Sequence, residues 1–159
     1  MNKIVIVLIA AALFFTGCKE QPKENTTIKN NEVEHTEHHT ESNLVSNDWM
    51  HNIQLDNGAK WEANPETNQG VTKMKLAFAQ NNPKDLKDYH ELAETLNNDK
   101  NFVIKECTMK GPSHDNLHVW LLPLIDKIDA LKEAKTLEEA QQIYKSIEQN
   151  VNAYDTYFE

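Results

Sequence analysis

The chain has 159 residues, 39% hydrophobic and 26% charged, with 16 Lys, no Arg and 25 Asp or Glu, a formal net charge of −9. An acidic surface without guanidinium groups argues against nucleic-acid binding, which uses basic patches and bidentate Arg, and is compatible with cation capture. The length suits one domain rather than several.

The first residues read as a secretion signal. Lys3 supplies a positive charge, and Ile4 to Phe15 form an apolar run of twelve residues, short for a bilayer span. The run ends in Phe15-Thr16-Gly17-Cys18, which resembles the lipobox of bacterial lipoproteins, with Phe15 where Leu is usual. That resemblance implies cleavage after residue 17, lipidation of Cys18, and residence in the bacterial cell envelope on the periplasmic side or cell surface. Several acyl chains on one residue anchor stably, at about 0.8 kcal/mol per buried methylene. A lipidated Cys18 cannot pair with Cys107, the only other cysteine. In an oxidising compartment Cys107 must then be buried, metal-bound or bridged to another chain.

Residues 18–47 read as a tether: Lys, Glu, Asn, Thr and His dominate, and too few apolar side chains occur to offset ordering entropy. As a coil its ends would lie on the order of 30 Å apart. His35, His38 and His39 within it could collect metal at low affinity. The folded part is expected over 48–159, beginning with an arm that contains Trp49, Met50, Ile53, Leu55 and Trp61 and the turn signal Asp56-Asn57-Gly58. An arm laid across the domain is the first reading, a short hairpin the second.

From Asn64 the pattern is helical. Asn64-Pro65-Glu66 is a helix start, and a first helix to about Asn81 carries Val71, Met74 and Phe78 on one stripe. Asn82-Pro83 repeats the signal and opens a second helix. Its stripe is Leu86, Tyr89, Ala93, Leu96, Val103 and Cys107, interrupted only by Lys100, with an end near Met109. After Gly111-Pro112 a third helix carries Leu117, Leu121, Leu124, Ile128 and Leu131, and Pro123 inside it predicts a kink. Thr136-Leu137-Glu138-Glu139 matches a capping box. The helix it opens has the seam Leu137, Ala140, Tyr144, Ile147, Val151, Tyr154 and Phe158. Four amphipathic helices with short connections predict an all-α, antiparallel up-down-up-down four-helix bundle.

The run from Leu124-Ile125-Asp126-Lys127-Ile128 to Asn152-Ala153-Tyr154-Asp155 is similar to the last two helices of the soluble b-type cytochrome bundle. In that family a Met of the first helix and a His near the end of the fourth hold haem. Met74 corresponds loosely to the Met, and Asp155 stands where the His is expected. The resemblance therefore implies the fold without haem. The stretch Cys107 to His118, with the pattern C-x-M-K-G-x-x-H-D-x-L-H, resembles a set of small envelope lipoproteins of Gram-negative bacteria. It implies a membrane anchor and brings no activity.

That stretch is also the candidate site. Cys107, Met109, His114 and His118 are the ligand types of soft and borderline metals, set on either side of a helix break. His114 and His118 share one helical face with Cβ atoms about 6 Å apart. Convergence of the sulfurs on the imidazoles requires unwinding near Thr108. Copper is favoured by thiolate plus thioether, zinc is suited by thiolate and imidazole, and Asp115 or Asp155 would orient an imidazole from behind. No serine triad, phosphate loop or typed carboxylate pair suggests an enzyme. Two functions compete. One is metal binding for sequestration, delivery or sensing. The other is a structural or partner-binding module, in which Trp61, Trp120 and Tyr157 form a contact surface for another envelope protein and the cluster is packing. The oligomeric state is open, with a Cys107-bridged dimer among the possibilities.

Overall fold

The computed structural model describes residues 44–159. The expected signal peptide, the expected lipidation site Cys18, most of the expected tether and His35, His38 and His39 lie outside the described residues. A single turn of 3-10 helix, Asp48–His51, precedes four α-helices: α1 Pro65–Gln80, α2 Leu86–Glu106, α3 Pro112–Glu133 and α4 Leu137–Tyr157. Each helix packs on its neighbours in sequence, and α1 closes the bundle against α4. The up-down four-helix expectation holds. Among the described residues no helix is long and apolar enough to cross a membrane.

Local chemistry accounts for the helix ends, not always as expected. Pro65 occupies the first turn of α1, but the Asn64 side chain does not cap its own helix. It bridges two helices instead. Asn64 Nδ2 donates to the Glu106 carbonyl at 3.0 Å, and its Oδ1 accepts from Thr67 Oγ1 at 2.7 Å. Helix α2 begins at Leu86 rather than at Pro83, because Asp85 and Asp88 form a reciprocal capping box and Asn82-Pro83 does not. At Thr136 the hydroxyl accepts from Glu139 N at 3.1 Å, while the Glu139 carboxylate reaches Lys135 N at 2.8 Å. Helix α3 runs unbroken through Pro123. Proline removes the donor that the Val119 carbonyl would use; one residue on, the Trp120 carbonyl accepts from Asn150 Nδ2 of α4 at 3.2 Å.

The core contains the forecast stripe residues Met74, Leu96, Leu117, Leu124, Ile128, Leu131 and Ile147, and it also takes in Trp120. Helices α1 and α2 approach closely at Gly70, where an added Cβ would lie 2.3 Å from Val103 Cγ2. Lys100, the interruption in the α2 stripe, is 7% exposed.

The arm reading holds, with a tight turn inside it. Trp49 and Ile53 are buried. Asn57 and Gly58, with φ of 51° and 91°, make a two-residue turn between Asp56 and Ala59, the pair of positive angles that Asn-Gly supplies cheaply. The arm then pairs with the C-terminus: Trp61 N donates to the Tyr157 carbonyl at 2.8 Å, and Glu159 N to the Trp61 carbonyl at 3.0 Å. Asn47, assigned to the tether by composition, is part of the fold, bonded through its amide to Ser146 and Gln149 of α4.

Candidate functional site

Antiparallel packing brings the start of α1, the end of α2, the start of α3 and the end of α4 to one end of the bundle. The Asn64 bridge to Glu106, the Trp61 pairing with Tyr157, and Asn116 Oδ1 accepting from Gln54 N at 2.9 Å tie that end together. Here lie the residues of the candidate stretch.

Helix α2 ends earlier than the Met109 expected from its pattern. Cys107 is its C-cap, in extended backbone, with its N–H on the Val103 carbonyl at 3.0 Å. Cys107 and Met109, two apart, are both half-buried and pack against the edge of the core. Cys107 is a free thiol. At the same end of the bundle the Tyr154 hydroxyl donates to Asn68 Oδ1 at 2.8 Å. Burial pushes that phenol well above its usual range, and the negative charges of Asp155 and of a Cys107 thiolate add to the effect.

The chain then turns at Gly111, whose φ of 64° and ψ of −148° lie in a region open to glycine, and Pro112 starts α3. Leu117, Trp120 and Leu121 take the core face of its first turns, which leaves His114 half-buried and His118 exposed on the flank. Their rings are in contact, centroids 4.3 Å apart and tilted by 57°.

The structure thus brings together the two imidazoles, while the thiol and the thioether each pack against the core edge. Among the described residues no three His, Cys, Asp or Glu side chains are grouped to hold one ion. The supporting carboxylates stand elsewhere: Asp115 is exposed, and Asp155 pairs with Lys75 Nζ at 2.5 Å on the outer face of α4. Trp120 is fully buried, its indole N–H donating to the Asn150 carbonyl at 2.9 Å, so it forms no part of a contact surface. Trp61 and Tyr157 are half-buried. His90, at the rim of the second seam, has its Nε2 3.0 Å from the Ala134 carbonyl.

A second polar constellation escaped the sequence reading. Lys127 is 1% exposed, and its ammonium donates to Asn150 Oδ1 at 3.1 Å and to Asn47 Oδ1 at 2.5 Å. Trp49 Nε1 shares the Asn47 oxygen at 2.9 Å. Both acceptors of the cation are neutral amides. Burial lowers the Lys127 pKa from its ordinary 10.5 to about 8. The signal was present in the spacing: Trp120, Lys127 and Ala134 recur every seven residues beside the leucine stripe, as do Ile143 and Asn150 in α4.

Comparison with protein-family models, with curated proteins and with solved structures gave no match for this chain.

Proposed function

We propose that the protein is a lipid-anchored envelope lipoprotein, not an enzyme, whose helical bundle captures a transition metal at the His114–His118 pair. The observation that carries this reading is the pair itself: two imidazoles one helical turn apart, rings 4.3 Å between centroids, on an accessible flank of α3. Two borderline nitrogen donors at that spacing suit Cu(II) or Zn(II), with water or a ligand from a partner completing the shell. Incomplete coordination favours exchange, which fits sequestration, delivery or sensing better than a permanent structural ion. Cys107 and Met109 would add sulfur donors for Cu(I) only after the 107–110 segment leaves the core edge. With Asp155 in the place of the expected axial His, haem has no role in this reading.

The test is titration of the full chain in detergent with Cu(II), Zn(II) and Cu(I) by calorimetry. His114→Ala and His118→Ala should each weaken Cu(II) or Zn(II) binding at least about tenfold, or about 1.4 kcal/mol, while Cys107→Ala leaves it unchanged. Loss of binding on Cys107→Ala would move the site to the thiol. Absence of saturable binding would reject the metal reading.

Packing of Cys107 and Met109 against the core edge favours a second reading, a partner-binding module in which the stretch is structural. Its contact surface would rest on Trp61 and Tyr157. A co-purifying envelope partner lost on Tyr157→Ala and retained by His118→Ala would support it.

A further inference from the structure

We propose that the segment Ser46–Ile53 is a releasable strap, which opens from the folded bundle as a separate unit and uncovers the amine of Lys127 between α3 and α4. What lies beneath the strap is the first reason. Lys127, Ser146 and Asn150 are 1%, 2% and 0% exposed, yet all three are polar and one is a cation. A face that stays covered gains most from apolar side chains, whereas one that is periodically wetted must be able to bind water. Among the described residues Lys127 Nζ bonds to neutral amide oxygens alone, one of which, Asn47 Oδ1, is contributed by the strap itself.

The second reason is how the strap is held. Asn47 is its hub: Oδ1 accepts from Lys127 and Trp49, and Nδ2 donates to the Ser146 carbonyl at 3.2 Å and to Gln149 Oε1 at 3.1 Å. Trp49 and Ile53 are its only fully buried side chains, against an ordering entropy spread over the whole segment. A cleft runs along its α3 side. It has a volume of about 370 Å³ and lies between Ser46, Asp48, Trp49 and Asn52 of the strap and Leu122, Pro123, Asp126 and Lys127 of α3. Water therefore reaches the seam between the strap and α3. A second cleft, of about 290 Å³, lies ahead of the strap, where Leu44 and Val45 approach the start of α4 at Thr136, Glu139 and Ile143. The backbone of the strap contributes a single 3-10 turn and no ladder to the bundle, and such segments open locally before the core does.

The experiment is amine acetylation of the full chain with acetic anhydride at one fixed pH, with Lys127 followed by peptide mass spectrometry and core amides by hydrogen exchange. Lys127 should label more slowly than exposed Lys110, at a rate insensitive to low urea. Asn47→Ala should speed Lys127 labelling at least about tenfold while exchange at Leu124 and Ile147 stays unchanged. If Asn47→Ala proves too unstable, Gln149→Ala removes one hydrogen bond and should speed labelling about threefold. Labelling of Lys127 that follows the same urea dependence as exchange at Leu124 and Ile147 would overturn the proposal. So would a labelling rate unchanged by both substitutions.

Discussion

Replacement of Lys127 by Met offers a quantitative test of the buried cation. Lys127→Met keeps the length of the side chain and removes the ammonium. A pKa lowered from 10.5 to about 8 means that the folded state binds the proton less tightly than the unfolded chain does. The lowering is a factor of roughly 300 in proton affinity, or about 3 kcal/mol, an upper bound for an amine beside an open cleft. The sign follows. Between pH 8 and 10.5 the unfolded chain carries the extra proton, so this group makes stability rise with pH across that window and lowers it below pH 8. Met escapes that cost but leaves the buried Asn150 Oδ1 without its donor, at about 1–3 kcal/mol. At pH 7 the two effects nearly cancel, and the variant should lie within about 1.5 kcal/mol of the parent. By pH 10.5 only the lost hydrogen bonds remain, and the variant should be the less stable by about 1–3 kcal/mol. Urea unfolding followed by helical circular dichroism, at steps of pH, gives the difference, from which all other titrations cancel. Parallel stability curves for the two proteins from pH 7 to 10.5 would refute the reasoning.

Other outcomes follow from single contacts. Gly70→Ala should destabilise by about 1–3 kcal/mol despite alanine's better helix propensity, because its methyl meets Val103; adding Val103→Ala should recover part of that loss in chemical unfolding. Asp85→Ala removes the capping box of α2 and should cost about 1 kcal/mol in the same assay. Asp155→Ala should change stability by under about 1 kcal/mol, since its bridge to Lys75 is exposed. Tyr154 has its phenol raised, chiefly by burial, so its contribution is complete below pH 10 and is lost as pH rises further; Tyr154→Phe should lessen alkaline unfolding above pH 10 and be less stable at pH 7 through loss of the Asn68 bond.

The sequence carried the bundle because three- and four-residue spacing, as in Leu117, Leu121, Leu124, Ile128 and Leu131, is a direct consequence of helix geometry, and all five are buried. It carried the helix ends less well. Asn64 and Asn82 present the same start signal, but Asn64 is recruited to the end of α2, and Asp85 competes successfully with Asn82 through the reciprocal bond of Asp88. The candidate site was legible as a set of ligand types and as a shared face for His114 and His118. The separate siting of Cys107 was not, because the helix ends at Glu106 rather than Met109 and leaves the thiol at the core edge. The Lys127 network stayed hidden for a different reason. Lysine in an amphipathic helix reads as solvated surface, and only the covering arm, placed by long-range contacts from Asn47, makes it interior.

The paired imidazoles are the centre of the functional reading, and metal binding by the full chain is its most direct measurement. Cu(II) titration followed by electron paramagnetic resonance should show one saturable site per chain with coupling to two imidazole nitrogens. His118→Ala should reduce the coupling to one nitrogen and weaken the site. A spectrum of unbound copper at equimolar metal, or a bound spectrum unaltered by both His114→Ala and His118→Ala, would contradict the account.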